Sequence, residues 1–311
     1  MARIILLDGG TGQELLNRSK NQAPRRWSAE YLMSEPDLVR QVHLDYIRAG
    51  ARLITIDAYA ATYTRMAMIG AEADVEKLQE RACTLALEAR DAAGADGAGV
   101  AIAGCLPPLN GSYRPDRVRP FDMNLSEYER IAAQQARHVD LFICETMSTG
   151  EEARAAARAA TGTGKPVWVG WSLKDNGGTQ LRSGEAIGEA FRALADLPVA
   201  AVLANCTAPE SVSAAMKDLV GTGLPAGGYA NGFTSIPMTF VPGRTREQLR
   251  ARQDLDPDTY ARFAMSWVAA GATIVGGCCE VGPAHIARLR EALLDSDFEI
   301  AAPPLRTSGQ W

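Results

Sequence analysis

The chain has 311 residues, 47% of them hydrophobic and 22% charged, with a formal net charge of −5. That balance, without any long Lys/Arg run, excludes a nucleic-acid footprint, and no apolar run approaches the roughly 20 residues that cross a bilayer. The opening "MARIILLDGG" is too short in its apolar part for a signal peptide. The chain is therefore expected in the cytoplasm, where its 6 cysteines stay reduced and serve packing, metal binding or catalysis.

Short apolar runs alternate with helical patterns along the whole length. In chain order the predicted strands are Ile4–Asp8, Arg52–Tyr59, Val100–Leu106, Leu141–Met147, Pro166–Leu173, Ala200–Cys206, Ala226–Asn231 and Ala272–Cys279. Their near-continuous hydrophobicity fits parallel strands covered on both faces. Between them lie amphipathic stretches with start and stop signals. In "SEPDLVRQVHLDYIRAG" Ser34 is the expected N-cap, Pro36 lies in the first turn and Gly50 ends the helix. "NLSEYERIAAQQARHV" and "DPDTYARFAMSWVAAG" read in the same way. Eight strand-then-helix units predict a (β/α)8 TIM barrel forming one domain over 1–311. The tail "AAPPLRTSGQW" reads as a loose extension, and Arg25–Arg26 as solvated surface.

A barrel puts its chemistry at the C-terminal ends of the strands. Those ends are Asp8, Tyr59, Cys105, Glu145, Ser172, Cys206, Asn231, Cys278 and Cys279. Cys206 ends the sixth strand, and Cys278 and Cys279 end the eighth, so all three face one mouth. Adjacent cysteines are poor disulfide partners for each other. Three thiolates from a rigid scaffold instead supply three corners of a tetrahedron, with a fourth left open, as in catalytic zinc sites. Gly276 and Gly277 are expected to give the backbone freedom to turn both sulfurs to one ion. Isolated free cysteines usually pack as small hydrophobes. Cys83 in a helix and Cys144 inside a strand read that way, while Cys105 is left open between packing and the site. Zinc on three thiolates carries net negative charge, which suits holding an incoming thiol as thiolate rather than making hydroxide.

"LLDGGTGQELLNR" is a strand, a glycine turn and a helix in which Thr11 and Glu14 have capping-box spacing. The amides of Gly9, Gly10 and Thr11 are expected at a helix N-terminus, where a carboxylate can bind. Asp8 and Glu145 add two carboxylates for an ammonium group. Carboxylate, ammonium and thiolate sites together describe an amino acid that bears a thiol.

These residues resemble the homocysteine S-methyltransferase family, the zinc-dependent group related to betaine–homocysteine methyltransferase and to the homocysteine domain of methionine synthase. The likeness runs through "DGGTGQEL" (8–15), "RRWSAEYL" (25–32), "VHLDYIRAGARLITIDAY" (42–59), "ICETM" (143–147), "ANC" (204–206) and "GGCCEVGPAHI" (276–286). It implies Zn2+ on Cys206, Cys278 and Cys279, with Asp8 and Glu145 on the homocysteine amino group and Gly9–Gly10 on its carboxylate. Thr55 and Tyr59 match positions lining that pocket, and Asn205 and Asn231 are counted with the substrate-binding residues. The expected partners are homocysteine and a small onium methyl donor, in a monomer or small homo-oligomer.

The chain departs from the family pattern at Ala204, where glycine is usual, at Met147–Ser148, where Ile-Pro is common, and in "GCLPPLNGSYRPD". The cysteines are untouched, so the departures bear on the donor side of the pocket. With no room for a cobalamin module or a long C-terminal arm, the expected donor is S-methylmethionine or S-adenosylmethionine. Betaine and dimethylsulfoniopropionate remain alternatives. Trp27, Tyr113, Trp171 and Phe233 are candidates to face the onium group by cation–π attraction. Two rival readings stay open. A zinc or thiol redox regulator leaves Asp8, Glu145 and the glycine turn without a purpose, and a lyase with a carboxylate base leaves the three cysteines unexplained.

Overall fold

The computed structural model describes residues 1–21, 27–237 and 248–305. Its strands are β1 (Arg3–Leu6), β2 (Leu53–Thr55), β3 (Ala101–Leu106), β4 (Leu141–Met147), β5 (Val167–Trp171), β6 (Val199–Asn205), β7 (Ala226–Ala230), β8 (Ile274–Gly277) and β9 (Glu299–Ile300). All pairings between them are parallel, in the order β2-β3-β4-β5-β6-β7-β8-β1-β9. The circuit closes between β1 and β2, where Arg52 N–H donates to Leu6 O (2.7 Å) and Asp8 N–H to Leu53 O (3.0 Å). The eight expected strands are all present. Strand β9 adds to them, pairing Arg3 with Glu299 and Ile4 with Ile300. Ala301, the first residue of the supposed loose tail, is buried, and its amide donates to Ile4 O at 2.9 Å. Residues 306–311 of that tail and Arg25–Arg26 lie outside the described residues.

The helices between the strands are α1 (Thr11–Arg18), α2 (Tyr31–Ser34), α3 (Pro36–Ala49), α4 (Tyr63–Ala67), α5 (Val75–Ala92), α6 (Phe121–Gln135), α7 (Gly150–Thr161), α8 (Ile187–Arg192), α9 (Pro209–Val220), α10 (Pro257–Ala269) and α11 (Pro283–Asp295). Caps fix several of their starts. Thr149 accepts from Glu152 N–H and Asp256 from Thr259 N–H. Two expected caps differ. Ser34 ends α2, where its hydroxyl donates to Glu30 O (3.0 Å), and α3 starts at Pro36 behind Glu35. Thr11 is the first residue of α1 rather than its cap, and Glu14 pairs with Arg18 (2.6 Å) instead of reaching back to make a capping box. No helix among the described residues is long and apolar enough to cross a membrane.

Strand parity divides the core in two. Ile5, Leu7, Leu53, Ala103, Ile143, Trp168, Leu203 and Ile274 fill the barrel interior. Their alternates Ile4, Leu6, Ile54, Ile102, Phe142, Val169, Val202 and Val275 pack outward with the helices. Two residues beyond the interior set, on the same parity, the chain places Thr55, Cys105, Glu145 and Asn205. The repeat that fills the barrel thus delivers polar groups to its mouth. Glycines in β7 answer to closeness: a Cβ on Gly227 would lie 1.7 Å from Ile274 O.

In α3, His43 is fully buried and neither ring nitrogen has a hydrogen-bond partner among the described residues. Burial lowers its pKa to about 4. Below its ordinary pKa near 6.5 the unfolded chain holds the proton that the folded chain refuses, so stability falls with pH until about pH 4. Relative to His43→Leu, the wild type is expected to lose about 3 kcal/mol between pH 7 and pH 4, measured by denaturant unfolding at each pH. A constant difference between the two proteins would show that His43 titrates normally.

Candidate active site and metal centre

The three cysteines meet at the mouth, with their sulfurs within 4.8 Å of one another. Cys206 follows β6 directly. Its amide is bonded to Tyr229 O (3.1 Å) and its backbone is left-handed, with φ 47°. Cys278 is still tied to the sheet through its amide, which donates to Ala230 O (2.9 Å). Consecutive strand residues point to opposite faces, so Cys279 can join Cys278 only if the chain turns. The turn runs over Cys278–Val281, closed by Val281 N–H to Cys278 O (3.0 Å), with Glu280 at φ 64°. Gly276 and Gly277, expected to provide that freedom, have no positive φ; they are glycines because Cβ atoms would lie 2.4 Å from Leu7 Cβ and 2.1 Å from Val281 Cγ1.

The donor set fits a soft metal ion. A tetrahedral zinc with Zn–S near 2.3 Å separates its sulfurs by about 3.8 Å, and Cys206 Sγ and Cys279 Sγ are 3.8 Å apart. Hydrogen bonds from Cys278, then Cys279 and Tyr113, hold the Cys206 thiol well below its ordinary pKa, and the same sharing pushes Cys278 and Cys279 up. The cluster on its own thus favours one thiolate at Cys206. The remaining cysteines separate cleanly. Cys83 and Cys144 are buried in the outer core. Cys105 donates its thiol to Glu145 Oε1 at 2.9 Å and is buried, so it supports the site without lining it.

A cavity of about 330 Å³ opens beside the sulfurs. Asp8, Gly9, Gly10, Thr55, Tyr59 and Glu145 line it, as do Trp27, Tyr113 and Phe233. Asp8 Oδ2 accepts from Thr55 N–H (2.8 Å), which aims the carboxylate across the mouth. Burial raises the Asp8 carboxyl well above its usual range, with Glu145 adding repulsion, and burial raises Glu145 to about 7. Of the three amides expected free, two are used within the chain: Gly10 N–H donates to Val281 O and Thr11 N–H to Gly9 O, both at 3.0 Å. Gly12 and Gln13, whose first-turn amides have no intrahelical acceptor, are among the residues that line the cavity. Gly10 is tight against the cysteine turn, since a Cβ there would lie 2.5 Å from Cys278 O.

Three residues expected at the substrates lie off the cavity. Asn205 is fully buried and off the cavity; its Oδ1 accepts from Thr146 N–H (2.8 Å) and its Nδ2 donates to Thr146 Oγ1 (2.9 Å). Both amide ends therefore hold Thr146, at φ 62°, next to Glu145. Asn231 is buried off the cavity and accepts from Phe233 N–H (3.0 Å). Trp171, a candidate for the onium face, is fully buried in the core.

Sequence reasoning missed four residues. Asp57 and Arg65 line the cavity beyond the point where β2 ends. Asp175 and Arg182 form a buried pair at 2.8 Å that ties three loops together: Asp175 also accepts from Ala208 N–H (2.8 Å) and Ile236 N–H (2.9 Å). The Arg182 guanidinium lies 4.9 Å from the Tyr113 ring centre, and Tyr113 Oη is 2.9 Å from Cys206 Sγ. Only the alternation of Asp57 with Thr55 was readable beforehand.

Comparison with known proteins matches this arrangement. The family model described as Homocysteine S-methyltransferase covers residues 5–293. The chain belongs to the homocysteine S-methyltransferase family. A homocysteine S-methyltransferase of Escherichia coli is 33% identical, over 92% of this chain and 94% of its own. The homocysteine S-methyltransferase YbgG of Bacillus subtilis is 28% identical, over 91% and 92%. Among solved structures, the metallated form of the homocysteine methyltransferase MmuM from Escherichia coli superposes with a TM-score of 0.78 at 31% identity, over 93% of this chain and 96% of its own.

As a member of the homocysteine S-methyltransferase family the chain is a methyltransferase, and the cavity beside its cysteines is the candidate active site. The left-handed backbone of Thr146 stands next to Glu145 and is held by Asn205. Asn205→Ala removes both bonds to Thr146, and a loss of about 1–3 kcal/mol is expected, read as a lower melting temperature. Asn205→Asp, which keeps an acceptor for Thr146 N–H, should fall between. Unchanged melting of Asn205→Ala would show that Thr146 holds its conformation unaided.

Proposed function

We propose that the chain moves a methyl group from a sulfonium donor, S-methylmethionine or S-adenosylmethionine, to the thiol of homocysteine, giving methionine, with Zn2+ on Cys206, Cys278 and Cys279. The observation that carries this reading is the close grouping of three cysteine sulfurs beside the carboxylates of Asp8 and Glu145 in one cavity. A zinc ion bound by three thiolates would keep an incoming thiol deprotonated and nucleophilic at neutral pH.

The chain's own residues bind and orient. Asp8 and Glu145 receive the α-ammonium of homocysteine, a cation that restores both raised carboxyls to the charged form. The first-turn amides of α1 take its carboxylate. Trp27, Tyr59, Tyr113 and Phe233 present apolar walls that exclude water and suit an onium methyl group. The sulfur of homocysteine then forms a bond to the methyl carbon as the carbon–sulfur bond of the donor breaks. The bonding electrons stay with the departing donor, which leaves as a neutral thioether. No protein nucleophile is needed; holding both substrates in line supplies much of the rate.

Cys206→Ser, Cys278→Ser and Cys279→Ser are each expected to lose zinc and activity while staying folded, because the barrel cores are filled by apolar residues independent of the ion. Metal analysis and circular dichroism check this, and stoichiometric zinc in all three variants would remove the assignment. Single-step transfer also fixes the stereochemistry. A chiral-methyl sulfonium donor should yield methionine inverted at the methyl carbon. Retention, or a methylated cysteine trapped without homocysteine, would demand a two-step route through the protein.

A further inference from the structure

Arg65, in α4, is the cationic side chain among the described residues that line the cavity. It makes no ion pair with a carboxylate of the described residues. Its Nε and Nη2 donate to Pro108 O at 3.2 and 2.7 Å, and Nη2 also to Ser112 Oγ at 3.2 Å, all neutral acceptors. Nη1 has no hydrogen-bond partner among the described residues. The guanidinium lies 5.1 Å from the ring centre of Tyr59, and Tyr59 Oη shares a 2.7 Å hydrogen bond with Ser112 Oγ. Arg65, Ser112 and Tyr59 therefore brace one another; the guanidinium charge is felt by the buried Glu152 carboxyl without a direct ion pair, and Nη1 keeps two N–H groups to spare.

The proposed transfer leaves this charge unused. Homocysteine is accounted for by the cysteines, by Asp8 and Glu145, and by the amides of α1. The rest of the ionisable lining is acidic, since Asp8, Asp57 and Glu145 all face the cavity. Every sulfonium donor considered above carries a carboxylate, which those groups repel. A guanidinium matches a carboxylate in plane and charge. We propose that Arg65, held by Ser112 and Tyr59, binds the carboxylate of the methyl donor and selects donors that carry one. This inference rests on the sulfonium reading of the donor.

The test compares S-methylmethionine with its carboxamide, which keeps the sulfonium and loses the negative charge. Wild type is expected to favour the acid over the amide by roughly 10- to 100-fold in kcat/KM, the worth of a charge-assisted bond. In Arg65→Gln that preference should vanish, the acid losing far more kcat/KM than the amide through a higher KM for the acid, while the KM for homocysteine stays near that of the wild type. Arg65→Lys should keep part of the preference. Equal losses on acid and amide would make Arg65 a purely structural brace of the loop after β3, and a raised homocysteine KM would assign it to the acceptor; either overturns the proposal. A wild type active with S-methylmethionine and an unaltered Arg65→Gln overturns this inference alone. A wild type inert with both compounds and with S-adenosylmethionine overturns the sulfonium reading together with it.

Discussion

Acidic groups buried together at one end of a barrel are the constraint on which the rest of this structure depends. Asp8 and Asp57 are only 5% and 4% exposed, Glu145 stands beside them, and three cysteines share the same cavity. Taking a carboxylate out of water disfavours its charged form, and burial lifts Asp57 and Glu145 to about 7 and Asp8 well above its usual range. Such a site is poorly satisfied by the chain alone. The proposed function supplies what it lacks: a metal ion for the sulfurs and an ammonium for the carboxylates. Binding energy is built in as unmet electrostatic demand, at the expense of the stability of the empty barrel.

The backbone pays a parallel cost in strain. Trp27, Tyr113, Thr146, Cys206 and Glu280 all have positive φ, Thr146 near the end of β4 and the others in the segments around this mouth. Each such residue costs on the order of 1–3 kcal/mol, and each is held by something specific: Asn205 locks Thr146, the Cys278–Val281 turn fixes Glu280, and Arg182 stacks on Tyr113. Because Asp175 and Arg182 are themselves buried and paired, the loops after β5, β6 and β7 form one stitched unit. Cys206 is thereby presented in a fixed place, which suits a ligand that must meet two others from a different strand.

Strand parity made most of this legible in the sequence. Apolar runs of regular spacing gave the eight strands, and their ends placed Asp8, Glu145 and the three cysteines in one mouth without any coordinate. What parity could not provide was direction beyond the last sheet residue. Asn205 lies on the inward parity at the end of β6, yet its amide turns to the left-handed Thr146 near the end of β4. Gly276 and Gly277 looked like hinges, yet they are small so that Leu7 and Val281 can approach. Ser34 and Thr11 carried capping chemistry, but Pro36 and the Gly9–Gly10 turn set where those helices begin.

Arg65 illustrates the same limit from the other side. Its sequence neighbourhood, "TYTRMAM", reads as the start of an ordinary helix, and a lone arginine there is most simply a solvated charge. Only the fold brings it against Pro108 and Ser112 from the loop after β3, and into a cavity where no carboxylate of the described residues makes a direct ion pair with it. The acceptor side of the pocket is built on strand ends, where alternation and composition can be read along the chain. The donor side is built on loops, where function follows from which loops meet. One of the departures from the family pattern, "GCLPPLNGSYRPD", is the segment that carries Ser112 and Tyr113, while the others, at Ala204 and Met147–Ser148, lie at or beside strand ends. The rigid frame fixes the sulfur chemistry, while the loops remain free to change what delivers the methyl group.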